Sequence, residues 1–410
     1  MSLRPVTCAV AATILAASLL CSGCSSSRPA APELTAKRYR ARPLPAAVRA
    51  VWVARFHYRH PDDIRTIIRN CAADGFNTVL WQVRGNGTVA YRSQLEPWSE
   101  EYDHHDPGFD PLALAIEQAH QRGLRLEAWV NVMPGWRGPE PPRIRNQLWY
   151  THPDWFLHDA EGRRQPLNKF YAILNPCLPA VRHHIASVVE EIVANYEVDG
   201  IHLDYVRYAW DTTPNARQRY PRDPETLRLY RQATGLAPDD DPARWDRWRA
   251  EQLTRLVREI RSRIKSRRPT CSLTAATWPS PKRGYDNYFQ DALGWLRNGV
   301  LDAAYPMIYT TELADFERYM AEYTSGAPAA RIVPGVGIYK HQTPRQMRRQ
   351  LQRCFDWGGQ YVLFSYASLH AAADDRGRDG KPAVTPEQQR LRHMRLGVLR
   401  EFVGTLPAGQ

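Results

Sequence analysis

The sequence predicts an α/β fold, a (β/α)8 TIM barrel with long loops at the C-terminal face of the strands, and three observations predict it. Eight short β-rich runs alternate with longer helical patterns from about residue 48 to about residue 375. Alternation of this kind implies parallel strands joined by helical crossovers, and eight such units close most naturally into a barrel. No GxGxxG or P-loop is present, so an open doubly wound sheet has no nucleotide motif to support it. Three connections, 84–110, 133–175 and 208–248, exceed barrel norms, and each lies on the side where a barrel keeps its active site.

Taken in chain order, residues 1–23 read as a secretory signal. Arg4 precedes the apolar run VTCAVAATILAASLL, which is too short to span a bilayer comfortably and ends in CSGCSSS. Gly23 before Cys24, with Leu20 upstream, looks like a bacterial lipobox, although Cys21 stands where an aliphatic residue is usual. The expectation is a lipoprotein with fatty acyl chains such as palmitate on Cys24; ordinary cleavage or an uncleaved anchor are the alternatives. Ser25 rather than Asp after it resembles the outer-membrane sorting pattern, so the chain is expected to be lipid-anchored in the outer membrane, facing the periplasm. Residues 24–46 are rich in Pro, Ser, Ala and Arg without a period and read as a tether. The barrel is expected over 47–400, with 401–410 a flexible tail.

Within the barrel, AVWVARFHY opens the first strand. PDDIRTIIRNCAADG follows as a helix, with Ile64, Ile67, Ile68 and Cys71 on one stripe and Gly75 placed as its stop. FNTVLWQVRG and LRLEAWVNV, separated by LALAIEQAHQRG, supply strands two and three. VRHHIASVVEEIVANY leads to VDGIHLDYV, WRAEQLTRLVREIRSRIKSRR to TCSLTAATW, and NYFQDALGWLRNG to LDAAYPMIY. ELADFERYMAEYTS then leads to RIVPGVGIY, and PRQMRRQLQRCFDWG to GQYVLFSYA.

Composition sets the function classes. An apolar fraction of 43% with 24% charged residues is ordinary for a globular chain, but 13 Trp and 20 Tyr are many, and eight aromatics of the long loops suggest a wall of rings over the barrel mouth. The net charge of +12 draws the chain toward polyanions, yet the basic residues are scattered and no zinc-finger spacing or leucine zipper occurs, so nucleic acid is not expected as a partner. Beyond the signal lie Cys71, Cys177, Cys271 and Cys354, which fit disulfides or buried thiols equally and form no metal-ligand cluster. No HExxH and no GxSxG is present, which disfavours metallohydrolase and serine hydrolase chemistry. Neither a metal nor another cofactor is expected.

The candidate chemistry gathers at strand ends. In VDGIHLDYVRYAW, Asp204 arrives where the fourth strand stops, held by rigid backbone and facing the cleft; a salt bridge to Arg207 or a cap for the following segment is the alternative. Asp199, far down the strand, reads as structural. Glu127, Trp129 and Asn131 share one alternating face of the third strand, Gln82 and Arg84 end the second, and Tyr309 and Glu312 follow the sixth. Two carboxylates beside a ring-lined groove suit glycoside hydrolysis, in which one acid protonates the leaving oxygen while the other acts as nucleophile or base. Aromatic faces pack on sugar rings, and Asn, Gln and Arg hold their substituents. On this reading Asp204 is the principal carboxylate with Glu312 or Glu127 as partner. Trp129, Tyr205, Trp210 and Tyr309 would hold sugars, and Gln82, Arg84 and Asn131 would orient substituents.

The stretches AVWVARF, FNTVLWQVRGNGTVAYRSQLEPWS, PLALAIEQAHQRGLRLEAWVNV, HPDWFL, LNPCLPAVRHHI, VDGIHLDYVRY and LDAAYPMIYT, in that order, resemble the glycoside hydrolase-like family of bacterial lipoproteins once catalogued as a domain of unknown function. Its described members include a peptidoglycan glycosidase acting on glycan strands stripped of stem peptides. The resemblance implies a TIM barrel that cleaves a polysaccharide, with Asp204 at the family's best acidic position. It also implies that Asp199, His202, Asn175 and Arg182 occupy matching motif positions. One departure is Glu127, where many relatives have His before the Ala-Trp of the third strand. The expected activity is hydrolysis of peptidoglycan strands free of peptides. Another polysaccharide, such as an α-glucan or exopolysaccharide, is the enzyme alternative. A non-catalytic glycan-binding lipoprotein is the other, and it would bind without forming products.

Overall fold

The computed structural model describes residues 39–210, 213–376 and 384–406; Cys24, the signal and most of the tether lie outside them. Ten strands are present among the described residues. Eight are parallel and close a barrel in chain order: β1 (Arg49–Val53), β2 (Thr78–Arg84), β3 (Arg125–Asn131), β6 (Gly200–Asp204), β7 (Ser272–Thr277), β8 (Ala303–Ile308), β9 (Gly335–Val336) and β10 (Tyr361–Leu363), with β10 returning to pair with β1. Each coincides with one of the eight runs read from the sequence. Between β3 and β6 the chain makes an excursion absent from that reading, an antiparallel pair of β4 (Pro134–Gly138) and β5 (Asn168–Ile173).

The period of two in each strand separates two cores. Val51, Val79, Trp81, Leu126, Ala128, Ile201, Leu203 and Leu273 point outward and join the helices in the larger core. Ala50, Trp52, Leu80, Trp129, Ala276, Tyr305 and Val362 point inward and fill the barrel, as stacked side-chain layers do in this fold. Close approach requires glycine at positions 200 and 335 of the barrel wall. A Cβ on Gly200 would sit 2.2 Å from Ser272 Oγ, and one on Gly335 would sit 2.7 Å from the Pro306 carbonyl oxygen. The outer helices begin where the chemistry of their caps dictates: Asp110 accepts from the Leu112 and Ala113 amides with Pro111 at the first position, and Thr343 and Gln346 form a capping box.

Both expected domain edges shift. Tyr39 donates to Asp199 Oδ1 at 2.6 Å, the Arg42 amide donates to the same oxygen at 2.8 Å, and Ala41 is buried, so residues 39–46 are fastened under the barrel rather than free as a tether. At the other end the helix Pro386–Gly404 runs past residue 400 into the segment expected as a tail. Past residue 400, Phe402 and Val403 are half-buried against the core, with Phe402 meeting Phe355 and Tyr361, which is why the helix continues. Cys71, Cys177, Cys271 and Cys354 are all buried free thiols, and burial pushes Cys177 and Cys271 up to about 12.

Candidate active site

The C-terminal ends of β3 and β6 lie side by side, with Asn131 in register with Asp204. Asp204 is only 5% exposed. The Tyr205 amide donates to its Oδ1 at 2.6 Å, while the Arg207 guanidinium stands at 3.5 Å from the same oxygen. Burial raises its carboxyl above the ordinary carboxylate range; Arg207, the Tyr205 amide and the Trp129 indole oppose that without reversing it. A carboxyl in this setting keeps its proton to a higher pH than an ordinary aspartate does. The chain leaves the strand through Tyr205 in a left-handed conformation, φ 50°, a strained geometry for a residue with a side chain that aims its ring across the mouth.

Under Asp204 lies a floor whose polar groups are already paired. Gln82 Nε2 and the Trp129 indole N–H both donate to Asn131 Oδ1, at 3.2 and 3.0 Å, and Asn131 Nδ2 donates to the Gly85 carbonyl. Gln82 also accepts from the Arg55 amide. These three residues were expected to hold substrate directly; the structure makes them a bonded, buried platform that positions the carboxylate above.

Arg84 departs further from expectation. It is fully buried, forks onto Glu96 at 2.7 and 2.8 Å, and donates to the Asn131 and Val132 carbonyls. Glu96 in turn meets His184 at 3.0 Å. Arg84 is therefore a clamp between the loops after β2 and β3, with no N–H turned to the cleft. Trp210 is also corrected: it is 5% exposed, packs on Tyr208 and Phe289, and donates to the Asn287 carbonyl beneath the loop.

Glu127 faces the barrel interior at the wrong height. It pairs in register with Gly200, the first residue of β6, whereas Asp204 is the last. Its carboxylate is filled by Arg125 at 2.9 Å, Ser272 at 3.1 Å and Thr274 at 2.6 Å, with none of it exposed. It cannot face the cleft. His202 is held in the layer between: the Trp52 indole donates to its Nε2, which leaves Nδ1 to donate to Thr274 Oγ1 at 2.9 Å. Burial lowers His202 to about 3, so it stays neutral and acts as a strut. Asp199 is an anchor at the bottom, consistent with its structural reading. Glu312 is exposed at the start of the helix Leu313–Thr324, one oxygen accepting from Thr311 Oγ1 at 3.0 Å.

The mouth is walled by rings, though several of the tryptophans expected there from the long loops turn inward. Trp136, Trp149 and Trp245 are buried. In their place Tyr309 meets Trp52, Tyr339 and Phe364, with centroids 6.2, 5.9 and 5.2 Å away. Opposite them Tyr171 and Phe170 of β5 meet Tyr205 at 4.9 and 6.0 Å. Sequence reasoning missed Phe170, Tyr171 and Arg137; the alternation in NKFYAI was the available signal for β5.

The family profile described as Glycosyl hydrolase-like 10 matches residues 47–357. The chain is 28% identical over 305 residues to the glycosyl hydrolase DigH of Escherichia coli K12, covering 67% of this chain and 64% of that protein. It is 28% identical over 264 residues to the glycosyl hydrolase YngK of Bacillus subtilis, covering 57% and 46%. The chain thus spans less than two thirds of the length of these curated relatives. Among solved structures, the glycoside hydrolase domain of PgaB (BpsB) from Bordetella bronchiseptica superposes with a TM-score of 0.61 at 15% identity, over 85% of this chain and 99% of that one. An α-L-fucosidase from Paenibacillus thiaminolyticus follows at 0.58 and 15%, over 86% and 49%. Both are likenesses of fold.

Proposed function

The chain belongs to the Glycosyl hydrolase-like 10 family, and from that premise we propose that it is a glycosidase of the cell envelope that hydrolyses peptidoglycan strands freed of their stem peptides. The observation that carries the reading is Asp204, a buried carboxyl with a raised pKa at the end of a barrel strand, ringed by Tyr205 and Tyr309. As general acid it gives its proton to the glycosidic oxygen as the bond to the anomeric carbon breaks. Glu312, exposed on the same side after β8, is the carboxylate proposed to act as nucleophile or to activate water. Tyr205 and Tyr309 stack on the sugars, and the Gln82–Asn131–Trp129 platform keeps Asp204 in place.

The lipobox-like Cys24 supports a lipid anchor, and Ser25 supports the outer membrane as its location, with the barrel in the periplasm. The relatives' descriptions name no polymer. Hydrolysis of an α-glucan or exopolysaccharide is therefore the second reading. Digestion of peptide-free strands, intact peptidoglycan, an α-glucan and an exopolysaccharide by the purified protein, with products identified by mass spectrometry, separates the two. Soluble saccharides from peptide-free strands alone support the first reading. Products only from another polymer refute it.

A further inference from the structure

We infer that the mouth recognises a carboxylate carried on the sugar, and that Arg137, with Arg207 beyond the Tyr171–Tyr205 pair, determines this specificity. Rings and guanidinium groups alternate along one side of the mouth. Arg55 lies 4.2 Å from the Phe56 centroid, Arg137 lies 5.6 Å from Phe56 and 5.9 Å from Tyr171, Tyr171 meets Tyr205 at 4.9 Å, and Arg207 lies 4.3 Å from Tyr205 and 5.5 Å from Trp278. This row passes from the exit of β1, across the β4–β5 excursion, to the exits of β6 and β7, where its Tyr205 and Arg207 adjoin Asp204.

The three arginines are not equivalent. Arg55 is buried and neutralised by Glu101 at 3.4 Å. Arg137 is exposed and, among the described residues, makes no ion pair and no side-chain hydrogen bond; only ring faces hold it. Arg207 is 4% exposed, its Nε has no hydrogen-bond partner among the described residues, and its contact with Asp204 is long at 3.5 Å. Stacking occupies the face of a guanidinium and leaves its N–H fork in the plane, the geometry that takes a carboxylate on two parallel hydrogen bonds. Rings for sugar faces and forks for carboxylates, set side by side, fit an acidic glycan.

This rests on the glycosidase reading and deepens it. In a peptidoglycan strand the carboxyl in question is on the lactyl ether of the amino sugar, and while the stem peptide is attached it is an uncharged amide. An amide hydrolysis must therefore come first: it releases the peptide and leaves the carboxylate this mouth binds. A uronic acid polymer offers the same chemistry from a different source.

The test uses peptide-free strands in two forms, native and with their carboxyls converted to methyl amides by carbodiimide and methylamine. The purified protein and Arg137→Gln are compared on both for KM and kcat, with binding measured separately by co-sedimentation. The native protein is expected to show a KM at least about tenfold lower on the carboxylate form, the size of one charge-assisted hydrogen bond, and R137Q to bring the ratio of the two KM values close to one. Competition by polygalacturonate would place recognition in any carboxylated ring, and its failure to compete would tie recognition to the lactyl ether. Equal KM values on both forms for the native protein, or a ratio unaltered by R137Q, overturn the inference. Carboxylate-dependent binding without products from either form would refute the glycosidase reading and leave this one standing.

Discussion

Glu96→Gln tests the buried clamp behind the site. Glu96 is ionised with none of its side chain exposed, forked by Arg84 and touched by His184. Burial alone would raise its pKa; Arg84 first, then His184, overcome this and bring it from 4.5 down to about 2. A folded pKa below the unfolded one means stability that is present above the unfolded value and lost as pH falls through the folded one. From 4.5 to about 2, at about 1.4 kcal/mol per pH unit, the contribution is about 3 kcal/mol at neutral pH. E96Q removes it and leaves the Arg84 charge buried without its partner, a loss of about 3–5 kcal/mol. Urea unfolding of E96Q and its parent should differ by that amount at pH 7, and the gap should narrow as pH falls from about 4.5 toward 2. Because Arg84 also holds the Asn131 and Val132 carbonyls, and the Val132 amide donates to the Asp204 carbonyl at 2.8 Å, E96Q should lower kcat as well. Equal stability at pH 7, or a gap independent of pH, would refute the clamp and return Arg84 to the role of a substrate ligand.

Gly200→Ala should destabilise the barrel by about 1–3 kcal/mol or more, since its Cβ would press on Ser272 and Glu127 in a packed layer; unfolding within about 0.5 kcal/mol of the parent would contradict this. His202, lowered to about 3, should show a neutral ring with Nε2 unprotonated in nitrogen NMR from about pH 5 to 8, and a protonation midpoint near the ordinary 6.5 would remove the strut assignment. With Asp204 as general acid, kcat/KM should fall on the alkaline side at a pH above the ordinary carboxylate range, because the acid form is lost as pH rises through its raised pKa; an alkaline limb near pH 4 would count against it.

The barrel was legible because its signals are local. Strands of period two separated by helices of period 3.6 give eight units, and counting along VDGIHLD places Asp204 at the strand end. Alternation also gave the correct face for Glu127. It could not give height, because the interior of a barrel has a bottom and a mouth, and only register shows that Glu127 stands level with Gly200 while Asn131 stands level with Asp204. Arg84 looked like a ligand because its partner Glu96 folds back from a loop without periodicity. Trp210 is covered by Phe289 and Arg249, contributed by segments distant in sequence, so no local pattern reveals its burial. The rings of β5 at the mouth were hidden for a related reason: in an excursion from the main alternation, six residues carry too weak a pattern to stand out.

The most direct test of the central claim is hydrolysis of peptide-free peptidoglycan strands by Asp204→Asn, with circular dichroism to establish that the variant is folded. If Asp204 supplies the proton, a folded D204N should lose about 10²–10⁴-fold in kcat while still sedimenting with the strands. A folded D204N that releases the same saccharides within about tenfold of the parent's rate would contradict the assignment of Asp204 as the acid of this site.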